Sequence, residues 1–137
     1  MAEPRWLTFE EVLAFHALAI ERFGGLDGLR DEGLLRSALD RPRNLFHYEH
    51  APLHVLAAAY AEGIVKNHPF ADGNKRTGLT CLGIFLERNA YDLVAPTPEV
   101  VAAMLKLAEG SFNRDDVARW VLANLKPHRK RPVAPSG

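Results

Sequence analysis

The stretch Asn-His-Pro-Phe-Ala-Asp-Gly-Asn-Lys-Arg-Thr-Gly, residues 67–78, is the densest polar segment of the chain and connects two predicted helices. A helix rich in small residues precedes it, from about residue 52 to residue 67. A largely apolar helix follows it, from about residue 74 to residue 89. This second helix is apolar on several faces, which predicts that it is the central buried helix of the fold.

Helical signals continue on both sides of this pair. Thr8 and Glu11 have the spacing of a capping box, and apolar residues then recur at helical intervals as far as Gly24. Asp31 is predicted to cap a second helix of about ten residues. Further helices are predicted over residues 97–110 and, with Ser111 or Asn113 as its cap, to about residue 125, while residues 91–94 look extended. Because no series of alternating strands occurs, the sequence predicts an all-α fold, a compact helical bundle.

Residues 41–50 interrupt the helical pattern. Pro42 and Asn44 punctuate the segment, and the residues after them are strand-like without clean alternation. The segment therefore predicts an exposed loop or a short irregular hairpin. Three histidines lie in or near it: His47, His50 and His54. Their spacing allows a metal site, but Pro52 lies between them and no cysteine is nearby, so surface histidines are the preferred interpretation.

Length and composition restrict the class of protein. The chain has 137 residues, 47% hydrophobic and 25% charged, which fits one globular domain over residues 1–125. Residues 126–137 are basic and proline-rich and are predicted to be a disordered tail. The net charge of zero excludes a uniformly basic nucleic-acid-binding protein. No signal peptide or membrane-spanning run is evident, which predicts a cytoplasmic protein. The single cysteine, Cys81, is predicted to be an inert core thiol.

The start of the apolar helix has the features of an anion site. The first N–H groups of a helix lack partners within the helix and carry the positive end of its dipole. Gly73 lets the backbone approach a ligand closely, and Lys75 and Arg76 add two positive charges at the same place. Phosphate is the commonest anion bound in this way. Taken singly, either cation fits a solvated helix end, but the combination favours a phosphate site.

Neighbouring side chains add chemistry to this anion site. Asp72 offers a hard oxygen ligand for Mg²⁺, which proteins commonly hold by one carboxylate together with substrate phosphates. His68 suits a general base that removes a proton from a hydroxyl group. Phe70 alternates with these two residues, so we expect it to point into the core and to fix their outward aim. Together these parts indicate phosphoryl or nucleotidyl transfer. Elsewhere, His16 lies on an apolar helical stripe and is expected to be a hydrogen-bonded core histidine.

The segment from His68 to Arg76 resembles the signature of the Fic/Doc superfamily, His-x-Phe-x-(Asp/Glu)-Gly-Asn-(Gly/Lys)-Arg. The lysine at position 75, with Thr77 directly after the motif arginine, is similar to the Doc (death-on-curing) toxin branch. The stretches over residues 23–28 and 35–42 resemble Doc-like proteins too, so the resemblance covers about residues 6–125. It implies a Fic/Doc-like catalytic domain over residues 1–125.

The resemblance implies a role for each residue of the motif. His68 would be the general base, Asp72 would bind Mg²⁺, and Gly73 and Asn74 would help to form an anion hole. Arg76 would pair with the phosphates of ATP. Members with glycine at the position of Lys75 typically transfer AMP, whereas lysine there is associated with transfer of the γ-phosphate. The implied substrate is a threonine hydroxyl of elongation factor Tu in a bacterial or archaeal cytoplasm, with arrest of translation as the result.

The resemblance also implies partners. The target would dock as an added strand on a flap, for which residues 43–50 are the candidate. The inhibitory motif (Ser/Thr)-x-x-x-Glu-(Gly/Asn) of many Fic proteins does not occur in the sequence. Silencing would then come from a separate Phd-like antitoxin with a segment that folds into a groove. Two alternatives remain open: an AMP-transferase acting on a protein hydroxyl, and a non-catalytic binding module.

Overall fold

The computed structural model describes residues 2–128, which form six α-helices and a small antiparallel sheet of two strands. The elements in chain order are α1 (Phe9–Phe23), α2 (Glu32–Glu49), α3 (Leu53–Asn67), α4 (Asn74–Arg88), β1 (Tyr91–Leu93), α5 (Thr97–Glu109), α6 (Arg114–Ala123) and β2 (Leu125–Pro127). The prediction of an all-α fold is confirmed, since each strand has only three residues.

Helix α3 lies at the centre of the bundle and packs against α2, α4, α5 and α6. Its small residues allow these close approaches. A Cβ atom at Gly63 would lie 2.9 Å from the Cβ of Ala38 in α2. Helix α4 is also largely buried, around Cys81 and Phe85, but α3 is buried on more of its length. The prediction that the helix after residue 74 is the central one is therefore wrong, because the alanine-rich helix before it admits neighbours on more sides.

Side-chain caps set the helix starts that the sequence predicted. Thr8 accepts a hydrogen bond from the backbone N–H of Glu11, and the Glu11 side chain accepts one from the backbone of Thr8. The Asp31 side chain caps α2 by accepting the backbone N–H of Leu34, and Asn113 forms a capping box with Asp116 at the start of α6. Each cap satisfies amide groups that lack a partner within the helix. Gly24 ends α1 with a φ of 80°, a conformation that glycine adopts readily.

Helix α2 runs through the segment for which a loop or hairpin was predicted. It has 18 residues and continues past Pro42 to Glu49, so the prediction of an irregular segment over residues 41–50 is wrong. The buried residues of α2 keep a helical spacing through the proline: Leu35, Ala38, Leu39, Pro42 and Phe46. Burial of this stripe against the bundle outweighs the roughly 3 kcal/mol that an interior proline costs a helix.

The C-terminal part of the described chain pairs with the strand after α4. Strand β2 is antiparallel to β1, with Leu125 opposite Leu93 and Pro127 opposite Tyr91. Lys126 and Pro127 therefore belong to the folded body and not to a disordered tail, which corrects the predicted start of that tail. The amide of His128 also donates to the carbonyl of Ala90 at 2.8 Å, and the remaining residues of the predicted tail, 129–137, lie outside the described residues.

Within residues 2–128, no helix combines the length and the apolar character needed to cross a membrane.

Candidate active site

A cleft of about 400 Å³ opens where α3 ends and α4 begins. Its volume lies within the range of small-molecule sites. The motif lines most of it, and α3 and α5 add apolar wall. The lining residues are Val65, His68, Asp72, Gly73, Asn74, Lys75, Arg76 and Ala108. The structure thus gathers the six polar and glycine residues that the sequence assigned to the site. It also adds Val65 and Ala108, which sequence reasoning missed.

Phe70 anchors the loop between the two helices. Its side chain is 1% exposed and stacks on the imidazole of His16, with ring centroids 3.8 Å apart. The Nε2–H of His16 donates a hydrogen bond to the Asp72 carbonyl at 2.8 Å. The prediction that Phe70 points into the core is confirmed, and so is the prediction that His16 is a hydrogen-bonded core histidine. The buried pair leaves His68 and Asp72 facing outward on the same loop.

The Asn74 side chain closes the loop from the inside. Its Oδ1 accepts the backbone N–H of Phe70 at 3.0 Å, and its Nδ2 donates to the Phe70 carbonyl, also at 3.0 Å. The side chain is 4% exposed. Both ends of the amide are therefore occupied by the loop itself. Any contribution of Asn74 to an anion hole would come from its backbone N–H and not from its side chain.

The Asp72 carboxylate is held in its ionised form at the edge of the cleft. Hydrogen bonds from the backbone N–H of Gly73 (2.9 Å) and of Leu26 (3.3 Å), together with nearby Lys75, lower the pKa of the carboxyl group. A Cβ atom at Gly25 would lie 2.7 Å from the Asp72 Oδ2, so glycine at this position allows the close approach. An exposed, ionised carboxylate suits Mg²⁺, whose remaining ligands can be water and phosphate oxygens.

The N-terminus of α4 presents positive charge to the cleft. Gly73 is its N-cap, with a φ of 77°, and no side chain of residues 2–128 caps it. The carbonyl of Gly73 accepts the amide of Thr77, which begins the helical hydrogen bonds. Lys75 and Arg76 are exposed in the first turn. The guanidinium of Arg76 lies over the ring of Phe23 in α1, 3.7 Å from its centroid, which restrains the arginine at the cleft.

The segment between α1 and α2, residues 24–31, lies against the outer side of the motif loop. The amides of Arg30 and Asp31 donate to the Pro69 carbonyl at 2.7 and 3.0 Å, and the Ala71 amide donates to the Gly28 carbonyl at 3.0 Å. Leu29 and Phe70 form an isolated antiparallel bridge. Sequence reasoning assigned this segment no function. Its glycines were the available signal, because Gly25 and Gly28 have φ angles of 112° and 126°, which residues other than glycine rarely adopt.

Two other groups of residues lie away from the cleft. Residues 43–50, the predicted flap, form the last turns of α2 and its C-cap and do not line the cleft, so this segment presents no strand edge for a target. His47 lies 3.4 Å from Glu3, and His50 ends α2. Among the described residues, no group of three or more His, Cys, Asp or Glu side chains could hold a metal ion. Cys81 is buried in the core, and burial raises the pKa of its thiol, as expected of an inert cysteine.

Comparison with known proteins agrees with this geometry. Residues 6–86 match the family model described as the Fic/DOC family. The chain is 33% identical over 115 residues to "Protein kinase doc" of Escherichia phage P1, an alignment that covers 83% of this chain and 90% of that protein. It is 37% identical over 92 residues to "Toxin Doc" of Mycolicibacterium smegmatis (strain ATCC 700084 / mc(2)155), covering 66% of this chain and 68% of that protein.

Proposed function

Because the chain belongs to the Fic/DOC family, we propose that it is a Doc-type protein kinase toxin. It transfers the γ-phosphoryl group of ATP to a hydroxyl group of a protein. The observation that carries the proposal is the cleft that gathers His68, Asp72 and Arg76 at the start of α4. A relative aligned over 90% of its own length carries the name "Protein kinase doc", which supports phosphoryl transfer over other reactions.

The phosphates of ATP bind at the N-terminus of α4 in this proposal. The first-turn amides and the helix dipole favour negative charge there, as at other helix N-termini. Arg76 pairs with phosphate oxygens through its planar guanidinium, and Lys75 adds a second positive charge. Because Arg76 already lies against Phe23, little of its freedom is lost when the nucleotide binds.

Asp72 is the residue that would hold Mg²⁺. Its carboxylate is exposed, is ionised at neutral pH and borders the phosphate site, so it fits a cation shared with the nucleotide. When bound, Mg²⁺ would neutralise part of the negative charge on the phosphates. The hydrogen bonds from the backbone N–H groups of Gly73 and Leu26 fix the orientation of the carboxylate before any ligand binds.

His68 acts as the general base. Its imidazole takes the proton of the target hydroxyl as the oxygen forms a bond to the γ-phosphorus. The bond between that phosphorus and the bridging oxygen of the β-phosphate breaks, and ADP leaves with the electron pair. The products are ADP, the phosphorylated hydroxyl and the proton held by His68.

The target in this proposal is a threonine of elongation factor Tu, so the reaction arrests translation in the cytoplasm. The names of the two relatives support the toxin assignment. A toxin of this kind needs silencing, and we propose a separate Phd-like antitoxin as the partner. The antitoxin would cover the cleft and block the nucleotide.

The test is incubation of the protein with elongation factor Tu, Mg²⁺ and ATP labelled at either the α or the γ position. We expect label on the target from the γ position only, and none with His68→Ala. The matched control is His47→Ala, which removes an exposed histidine that does not line the cleft. Label from the α position would show that the protein transfers AMP, the alternative reaction, and is not a kinase. Full growth inhibition by His68→Ala in cells would show that the protein inhibits growth by binding its target and not by catalysis.

A further inference from the structure

The side chain of Arg30 joins the α1–α2 segment to the C-terminal end of α3. Its Nε donates to the carbonyl of His68 at 2.9 Å, and its Nη2 donates to the same oxygen at 2.6 Å. Nη2 also lies 3.3 Å from the carbonyl of Asn67. The last carbonyls of a helix have no partner within the helix and carry the negative end of its dipole. A guanidinium is well suited to this position, because it has several donors and a permanent positive charge.

The residue that Arg30 holds has an unusual backbone. His68 adopts a φ of 53° and a ψ of 53°, the left-handed backbone conformation that residues other than glycine seldom take. Strained conformations of this kind persist where the surrounding structure imposes them, and they are concentrated at functional sites. The loop must turn at His68 because α3 ends there and buried Pro69 follows. The two hydrogen bonds from Arg30 fix the carbonyl of this strained residue.

Arg30 does not itself line the cleft. Its guanidinium contacts the backbone of His68 and leaves the imidazole exposed. The main-chain bonds from residues 30 and 31 to the carbonyl of Pro69 do not involve the arginine side chain. Loss of the guanidinium therefore removes the hold on His68 while the segment keeps its other contacts with the loop. This separation makes the role of the side chain testable.

We propose that Arg30 is a positioning residue for His68. Its guanidinium sets the direction of the His68 main chain and so keeps the imidazole aimed into the cleft. The inference rests on the proposed function, in which His68 is the base. A charged side chain that only capped α3 would affect stability alone. A positioning residue affects the chemical step in molecules that remain folded.

Two substitutions and a matched control test this role. Arg30→Met removes all three hydrogen bonds and keeps much of the side-chain volume. Arg30→Lys restores the charge and a single donor group but not the guanidinium fork. Arg119→Met is the control, because Arg119 is exposed and its one ion pair within residues 2–128 is with Asp116 on its own helix. Each protein is assayed well below its measured unfolding temperature, so that all of the molecules are folded.

We expect kcat to fall about tenfold to a hundredfold in Arg30→Met, because small misplacements of a catalytic group cost that much. The KM for ATP should stay within about twofold, since the phosphate-binding residues are untouched, and Arg30→Lys should recover part of kcat. Arg119→Met should match the wild type. A kcat for folded Arg30→Met within about twofold of wild type would overturn the proposal.

A second readout does not depend on activity. The imidazole signals of His68 in NMR spectra, assigned with His68→Gln, report the orientation and mobility of the ring. We expect them to shift in Arg30→Met and to remain unchanged in Arg119→Met. Unchanged His68 signals in Arg30→Met would overturn the positioning role. If the wild-type protein transferred no phosphoryl group, the proposed function would fail, and the NMR comparison would still decide whether Arg30 orients His68.

Discussion

Asn74→Ala tests whether the loop of the candidate site is held from the inside. The variant loses two hydrogen bonds of 3.0 Å, one from the N–H of Phe70 and one to its carbonyl. Both residues are buried, so the two Phe70 groups are left without partners and without ready access to water. A neutral hydrogen bond is worth about 1 kcal/mol, and a buried unpaired group costs about 1–3 kcal/mol. We therefore expect unfolding free energy to fall by about 2–4 kcal/mol.

Urea denaturation followed by circular dichroism measures this loss. A domain with a typical stability of roughly 5–15 kcal/mol remains folded after it. Asn124→Ala is the control, because the half-buried Asn124 side chain makes a single hydrogen bond to the described part of the chain, to the carbonyl of Trp120. We expect a loss of about 1 kcal/mol there. If Asn74→Ala cost no more than Asn124→Ala, the reasoning about the loop would be refuted.

Two further predictions concern packing and pH. Gly63→Ala should destabilise the protein by about 1–3 kcal/mol, because a Cβ there would lie 2.9 Å from that of Ala38. Gly83→Ala should stabilise it by about 0.5–1 kcal/mol, because a Cβ there would meet no atom of residues 2–128 within 4 Å outside its own helical turn. Equal unfolding free energies for the two variants would contradict the close contact of α2 with α3. The hydrogen bond from Arg88 lowers the pKa of Glu11 from 4.5 to about 2, so the folded state releases this proton more readily than the unfolded state. The stability from this pair, about 1–2 kcal/mol for a partly exposed pair, is complete above pH 4.5 and is lost as the pH falls towards 2. Thermal unfolding across this range should show a smaller loss for Glu11→Gln, and an identical pH dependence would count against the pair.

Local signals in the sequence located most of the helices. They did not predict that α2 continues past Pro42, because that depends on a long-range contact. The predicted caps at Thr8 and Asp31 are correct, because capping depends on residues three positions apart, and of the two candidates for the last helix Asn113 is the cap. Pro42 was given too much weight as a helix breaker. The apolar spacing continued through it to Phe46, and the contact of this stripe with the bundle decided the outcome. Propensity is a local quantity, whereas this burial depends on α3, which follows later in the chain.

The residues that line the candidate site could be predicted from the sequence, but the residues that hold the motif loop in place could not. Residues 68–76 are adjacent in the chain, so their appearance around one cleft required only the helix start at Asn74. Arg30 lies 38 residues before His68, and Leu26 lies 46 residues before Asp72. No local spacing rule connects such pairs. The sequence assigned Asn74 to an anion hole, but it did not indicate that the Asn74 side chain closes the loop through Phe70.

The intact mass of elongation factor Tu after incubation with the protein, ATP and Mg²⁺ tests the central claim most directly. The account predicts that the wild-type protein adds the mass of one phosphoryl group, located on a threonine, and that His68→Ala adds nothing. Addition of an adenylyl group, or an equal phosphoryl addition by His68→Ala, would contradict it.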